Sequence, residues 1–161
     1  KTVESKPDPD SAFIALDLDN FGDFNTKFGH PAGDNLLKGA AEAMRKALRH
    51  GDILGRTGGD ELSVIAHRIT TAGAVAVAKR LQAAVIQSSQ RFAEQGWVQT
   101  ISAGVCLIQP GCPGELLRNA SDQALYNSKR AGKNTISIGM LTPESALARI
   151  IPVNQKQISN K

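Results

Sequence analysis

The chain alternates between short apolar runs, which are typical of strands, and longer segments in which apolar residues recur every three or four positions, which are typical of helices. The run 13–19 predicts a buried strand that ends in acidic residues. Residues 20–33 contain too many glycine and proline residues for one regular element. An apolar stripe over 34–49 then predicts a helix that Gly51 ends.

The second half continues the same alternation. Residues 53–56 and 62–66 predict two short strands joined by the hairpin turn Thr57-Gly58-Gly59-Asp60. A helix over 71–92, a half-buried strand over 97–107, a helix over 115–130 and a last strand over 135–138 follow. We predict residues 13–139 to be the domain, 1–12 a linker or truncated upstream segment, and 140–161 a tail or linker.

This element order predicts an α/β fold of the α+β sandwich kind. Its first six elements match the split strand-helix-strand arrangement of ferredoxin-like folds, with a central antiparallel or mixed sheet flanked by helices, as in palm domains and nucleotide cyclases. In that topology the second hairpin strand lies antiparallel beside the first strand. Two acidic pairs distant in sequence are therefore predicted to meet: Asp17 and Asp19 with Asp60 and Glu61.

Four carboxylates at one edge of a sheet repel each other unless a cation lies among them. Oxygen ligands surrounded by glycine suit Mg²⁺, and paired metals serve phosphoryl and nucleotidyl transfer. The acids therefore favour a palm-like nucleotidyl-transfer site. The alternative is that Asp17 and Asp19 merely end a strand while Asp60 occupies a turn; the position of Asp17 within an apolar run weakens it.

Composition limits the classes of ligand and the cellular compartment that are expected for this chain. The 161 residues carry a net charge of +4, which suits an anionic ligand, but aromatic residues make up only 4%, which disfavours a nucleic-acid stacking surface. Two cysteines cannot make a disulfide scaffold, so a reducing compartment is expected. No apolar run approaches a membrane span, and the polar start of the sequence is not the pattern expected of a signal peptide. We expect a cytoplasmic, single-domain chain.

Three motifs then carry a family resemblance. Arg56-Thr-Gly-Gly-Asp-Glu-Leu62 resembles the signature of GGDEF domains, the diguanylate cyclase family. The segment 17–34 resembles the family's other long motif, and 121–134 resembles its late helix-turn motif. Together they span about 13–138 in the family's order. The helix and Asn-Arg turn that usually precede the first strand are missing, so we expect the natural chain to begin upstream of Lys1.

The resemblance implies that two GTP molecules, one on each of two facing domains of a homodimer, condense to cyclic di-GMP with loss of pyrophosphate. It implies two Mg²⁺ or Mn²⁺ ions per active site, held by the carboxylates of Asp17 and Asp60 and by the Leu18 carbonyl. Glu61 or Asp60 would accept the proton of the attacking 3′-hydroxyl.

The resemblance also implies a set of substrate-binding residues, each with a simpler alternative. Asn25 and Asp34 match the positions that recognise guanine, although an amide in a turn and a helix N-cap would look the same. Lys129 and Lys133 match the positions that hold the triphosphate, although helix-end lysines are often merely solvated. Three further positions belong to the same pocket: Gly58 and Gly59, whose backbone would lie against the phosphates, and His30, which could equally brace its loop.

A regulatory site and a departure complete the comparison. Arg49 and Asp52 match the RxxD inhibitory site that binds cyclic di-GMP. Gly22 stands where the family commonly has a lysine that supports the triphosphate, which puts the rate in doubt; Thr26 replaces a usual Asp and Leu62 a usual Phe.

The hypothesis is therefore a Mg²⁺-dependent diguanylate cyclase, the output module of a larger bacterial signalling protein with fused sensor or effector domains. The rival is a catalytically weak domain that acts as a GTP or cyclic di-GMP receptor and regulates a neighbouring domain. A palm domain of other specificity is a third interpretation, which the guanine-reading pair disfavours.

Overall fold

A computed structural model describes residues 10–141. Within this range the chain forms five strands, four α-helices and one 3₁₀ helix: β1 (Ser11–Leu18), α1 (Phe21–Phe28), α2 (His30–Ala47), β2 (Ile53–Gly58), β3 (Glu61–Ala66), α3 (Thr71–Ser88), the 3₁₀ helix (Gln90–Gln95), β4 (Ile101–Ile108), α4 (Gly114–Arg130) and β5 (Ile136–Gly139). Strand β1 includes Ser11 and Ala12, which were assigned to the linker. The predicted tail falls outside the described residues except for Met140 and Leu141.

The strands form one mixed sheet in the order β2-β3-β1-β4-β5. Strand β1 lies at its centre, antiparallel to both β3 and β4, while β5 adds to β4 in parallel. The hairpin β2–β3 pairs as predicted and its second strand lies beside β1. The predicted ferredoxin-like arrangement and the flanked central sheet are confirmed.

Helices cover both faces of this sheet. One face of β1, carrying Ile14 and Leu16, packs with α2 and α3 into a buried core. Helix α4 covers the other face and approaches it closely at Gly104, where a Cβ would lie 2.3 Å from the Ser121 carbonyl oxygen. None of the helices in the described range is both long and apolar enough to be a membrane span.

Residues 20–33 do not form one regular element, as predicted, but the segment is helical on both sides of a break and the predicted helix start at residue 34 is too late. Helix α1 begins directly after Asn20, and α2 begins at His30, four residues before the predicted start. Gly29, with φ of 87°, separates the two helices. Pro31 occupies the first turn of α2, where a proline has no amide bond to lose and its fixed φ favours the helix. Gly29 and Pro31 therefore mark the boundary between two helices.

The predicted ends of α3 and β4 are also corrected. Helix α3 stops at Ser88 and a 3₁₀ helix replaces its last turn, and β4 begins at Ile101, four residues after the predicted start. The reason is an aromatic cluster between these elements. Phe92 and Trp97 pack edge-on against Phe24, with ring centroids 5.0 and 5.4 Å away. Trp97 therefore packs in this aromatic cluster and is not part of β4.

Candidate active site

The end of β1 meets the glycine turn of the β2–β3 hairpin. The register pairs Asp17 with Glu61, and the Leu18 amide donates to the Asp60 carbonyl oxygen at 3.3 Å. The side chains of Asp60 and Glu61 are half-buried and exposed, respectively. The topology thus gathers Asp17, Asp60 and Glu61 at one edge of the sheet.

Asp17 is an electrostatically strained carboxylate. Its side chain is only 12% exposed, and one oxygen forms an ion pair with Lys129 on α4. The other oxygen, Oδ1, is buried and has no hydrogen-bond partner among the described residues. Burial raises the pKa of Asp17 to about 6; the Lys129 ammonium opposes this shift and the Asp60 carboxylate adds to it. Burial, and to a lesser degree Asp60, therefore disfavour the charged form of Asp17, and Lys129 offsets them only in part.

Asp19 does not join this cluster, so that part of the prediction is wrong. It lies just past the end of β1, where side chains no longer alternate as in a strand, and it is 2% exposed. Its carboxylate accepts hydrogen bonds from the hydroxyls of Thr100 and Ser102, both at 2.7 Å. Asp19 is thus a buried structural carboxylate behind the site.

The residues at this edge fit a divalent cation that binds together with a phosphate ligand. Within residues 10–141, no three His, Cys, Asp or Glu side chains lie close enough to hold an ion by themselves. Asp17 nevertheless offers an orphaned buried oxygen beside the carboxylate of Asp60, and hard oxygen donors are the chemistry that Mg²⁺ and Mn²⁺ take. Phosphate oxygens would have to supply further ligands.

The fold does not itself require glycine at the hairpin turn. Neither Gly58 nor Gly59 has a positive φ, and a Cβ on Gly59 would meet nothing within 4 Å. A Cβ on Gly58 would make only an ordinary contact, 3.5 Å from Glu61 Oε2. Open space above a bare backbone is what a closely approaching ligand needs. Arg56, which the sequence analysis did not assign, supports the turn by donating from Nε to the Gly59 carbonyl oxygen at 2.9 Å.

Asn25 on α1 lies against Gly33 on α2, the residue that precedes Asp34. Asn25 Oδ1 is buried, has no hydrogen-bond partner among the described residues, and lies against Gly33, where a Cβ would be 1.6 Å from it. Asp34, the next residue, is exposed at a cleft of about 360 Å³ between α2 and the hairpin. Gly33 was missed by the sequence analysis, although a glycine within a helix could have signalled it. His30 is exposed at the start of α2.

Both predicted phosphate lysines reach the end of β1. Lys129, in the last turn of α4, pairs with Asp17. Lys133, in the following turn, donates to the side-chain oxygen of Asn20. Both ammonium groups contact residues at the end of β1, which is distant in sequence. These contacts argue against the alternative that the two lysines are merely solvated at the end of α4. Asn20 was not identified from the sequence.

Gly22 supplies no cation at the start of α1, where the family commonly has a lysine. It lies in the first turn of α1 with an ordinary φ, and a Cβ there would meet nothing within 4 Å. Lys27, the nearest lysine to Gly22 along the chain, donates to the Gln95 carbonyl oxygen at 2.7 Å and lies 5.2 Å from the Phe28 ring centroid. Lys27 therefore supports the aromatic cluster and does not replace the missing lysine.

Arg49 and Asp52 occupy a turn that is tied to the end of β3. The Asp52 side chain is 2% exposed and accepts from the amide and the Nε of Arg49, at 3.3 and 3.4 Å, and from the His67 amide at 3.3 Å. Arg49 also donates to the His67 carbonyl oxygen at 2.8 Å, although its side chain remains 47% exposed. Arg49 can therefore meet a ligand, whereas Asp52 is already engaged.

Comparison with known proteins agrees with this geometry. The family model described as "Diguanylate cyclase, GGDEF domain" matches residues 2–135. The curated protein diguanylate cyclase DgcP of Pseudomonas aeruginosa is 35% identical over 129 residues, which are 80% of this chain. This chain spans only 19% of the length of that relative.

Solved structures show the same fold. The active GGEEF domain of a diguanylate cyclase from Vibrio cholerae has a TM-score of 0.71 at 29% identity, covering 83% of this chain and 85% of that one. The GGDEF domain of DgcB from Caulobacter crescentus, solved in complex with c-di-GMP, has a TM-score of 0.69 at 28% identity, covering 80% and 77%. The similarity thus extends over most of both solved domains.

Proposed function

Since the chain belongs to the GGDEF family of diguanylate cyclases, we propose that it condenses two GTP molecules into cyclic di-GMP and two pyrophosphates. The observation that carries this proposal is the acidic edge of the sheet. Asp17 holds an orphaned, buried oxygen beside Asp60, and Lys129 lies against the same carboxylate. Negative groups for a metal and positive groups for a phosphate are what nucleotidyl transfer requires.

The metal-holding residues in this proposal are Asp17, Asp60 and the carbonyl of Leu18. Two Mg²⁺ or Mn²⁺ ions, when bound, acidify the attacking 3′-hydroxyl and stabilise the leaving pyrophosphate. The orphaned Asp17 oxygen supports this assignment, because a buried carboxylate oxygen without a partner is costly unless something binds it. The raised pKa of Asp17 is compatible with this assignment, because burial and, to a lesser degree, Asp60 disfavour its charged form, which a bound cation would stabilise.

In this proposal the protein's own residues also accept the proton of the 3′-hydroxyl and bind the triphosphate. Glu61, exposed beside the turn, or Asp60 accepts the proton of the 3′-hydroxyl. Lys129 and Lys133 hold the triphosphate as point charges, and the bare backbone of the glycine turn lets the phosphates approach. Each active site holds one GTP, so two copies of the domain must face each other as a homodimer.

Base recognition in this proposal rests on Asn25 and Asp34. A carboxylate accepts from the N1–H and N2–H of guanine, and an amide serves its acceptors. The cleft of about 360 Å³ beside Asp34 has room for a base. The unpartnered Asn25 oxygen is buried against Gly33, so a local shift would have to expose it to the base. Product feedback would use Arg49, whose exposed guanidinium suits a phosphate or a guanine edge. Asp52 would join only if its present hydrogen bonds opened.

A second candidate is a catalytically weak receptor for GTP or cyclic di-GMP that regulates a neighbouring domain. The specific observation in its favour is Gly22, together with the engagement of Lys27 elsewhere. The chain spans only a fifth of the length of a curated relative. We therefore also propose that the whole protein carries further sensor or effector domains, which this domain would serve.

The deciding experiment is to incubate the concentrated chain with GTP and Mg²⁺ and to identify any dinucleotide by mass. Asp60→Asn is the control, because the exchange keeps the size of the side chain while it removes a metal ligand. Cyclic di-GMP from the wild type alone supports the cyclase. GTP or cyclic di-GMP binding without product would favour the receptor, and binding of neither would contradict both.

A further inference from the structure

Asp19 is a buried carboxylate with no place in the proposed chemistry. Its Oδ1 accepts from Ser102 Oγ, and its Oδ2 accepts from Thr100 Oγ1 and from the backbone amide of Asn134 at 3.0 Å. Among the described residues no lysine or arginine forms an ion pair with it. Burying a carboxylate on neutral donors alone is costly, so its hydrogen bonds must contribute to the structure around it.

The Asn134 bond anchors a turn with an unusual backbone. Gly132, Lys133 and Asn134 have φ values of 117°, 65° and 46°, all in the left-handed region. For the two non-glycine residues this conformation is unfavourable and persists only where surrounding contacts impose it. Within the turn the Lys133 amide bonds to the Ser128 carbonyl oxygen, at 3.2 Å, while the Asn134 amide bonds across to Asp19. The Asp19 carboxylate therefore ties this turn to the end of β1.

The same turn carries the lysine that faces the acidic edge. The Lys133 ammonium bonds to the side chain of Asn20, the residue that follows Asp19. Neighbouring residues at the end of β1 thus hold the turn twice, at its backbone and at its cation. We propose that Asp19 is a positioning residue: by holding the Asn134 amide, it places the Lys133 ammonium where the triphosphate chain of a nucleotide binds. This rests on the proposed function, in which Lys133 contacts that triphosphate.

The test compares GTP and GMP affinities by calorimetry with Mg²⁺, at protein concentrations too low for the two-copy reaction. Asp19→Ala should lower the ratio of GTP to GMP affinity about ten-fold, on the order of one charge-assisted hydrogen bond. Asp19→Asn should restore part of it, because its carbonyl oxygen can still accept from the Asn134 amide. Ser102→Ala is the matched control: it removes a donor to the same carboxylate but not the bond to the turn, so the ratio should stay at the wild-type value.

Other roles for Asp19 predict different changes in GTP affinity and in the ratio of GTP to GMP affinity. If its charge alone mattered, removing a buried anion near the phosphates would raise GTP affinity. If it only stabilised the fold, the melting temperature would fall and the ratio would not change. Either result would overturn the proposal. In addition, Asp19→Ala combined with Lys133→Ala should lose no more GTP affinity than Lys133→Ala alone, and additive losses would also overturn it.

A measurement on the protein without nucleotide separates this claim from the proposed function. Hydrogen exchange of the Asn134 amide in the wild type should be slow, and it should accelerate in Asp19→Ala. Exchange of this amide at the unfolded-chain rate in the wild type would overturn the proposal even if no Asp19 variant folds. A wild type that binds no GTP would overturn the proposed function and with it the role of Asp19 toward a triphosphate, while slow exchange would still establish the anchored turn.

Discussion

Replacing Gly22 by lysine should accelerate the chemical step without strengthening GTP binding to a similar degree. Gly22 lies in the first turn of α1, two residues after Asn20, which accepts from Lys133. If Lys133 holds the triphosphate as proposed, a lysine at position 22 would add a second cation beside the same phosphates. An electrostatic donor that acts on developing charge is worth about 10²–10³ in rate, or about 2.7–4 kcal/mol, and much less in ground-state affinity.

The structure also predicts that Gly22→Lys folds normally. The residue has an ordinary φ and open space around its Cβ position, so its backbone does not require glycine. Lysine is a better helix former than glycine by about 0.5–1 kcal/mol, whereas a cation in the first turn opposes the helix dipole by about 0.3–1 kcal/mol. These contributions offset each other, so the melting temperature should change little.

The assay is single-turnover formation of cyclic di-GMP, with GTP affinity measured separately. Gly114→Lys is the matched control, because Gly114 also begins a helix in open space and lies about 22 Å along α4 from Lys129. Gly22→Gln tests the effect of length without charge. A fast wild type with no gain in Gly22→Lys, or an equal gain in Gly114→Lys, would refute the missing-cation argument.

Four further outcomes are expected. Asp60→Asn should abolish turnover and leave the fold intact by circular dichroism, because it removes a metal ligand and relieves repulsion with Asp17; wild-type turnover at low Mg²⁺ would disprove the metal assignment. GTP should bind about ten- to a hundred-fold more tightly than ATP by calorimetry, and Asp34→Ala should narrow that gap, whereas equal affinities would contradict the assigned base contacts. Arg49→Ala should raise the cyclic di-GMP dissociation constant at least about ten-fold, while the exposed control Lys46→Ala should not; an unchanged constant in Arg49→Ala would leave that arginine without a role in feedback. In the metal-free protein, the free energy of unfolding should fall as pH rises from 3.8 to about 6, because Asp17 keeps its proton to a higher pH in the folded than in the unfolded chain. Urea titrations of Asp17→Asn should not show this pH dependence. A pH dependence that persisted in this variant would come from another group.

Much of the fold followed from local pattern. Strand alternation, helical stripes and the glycine turn each depend on residues close together in sequence, so the hairpin, α4 and the central position of β1 were predictable. The convergence of Asp17 with Asp60 also followed, because a known topology converts element order into neighbouring strands. Element ends were predicted less well, since Pro31 can stop or start a helix and Trp97 fits both a strand pattern and an aromatic cluster.

The remaining features depend on contacts between distant segments. Asp17 and Asp19 look alike in sequence, yet one faces the site and the other is buried behind it, because the donors of Asp19 come from Ser102 and Asn134, 83 and 115 residues further along. Lys27 likewise resembled a spare phosphate ligand until its bond to the Gln95 carbonyl, 68 residues away, placed it elsewhere. The sequence thus determined which chemical groups are present and which strands carry them. Only the tertiary structure decided which of those groups are free for a ligand, because a side chain's availability depends on the partners that packing brings to it.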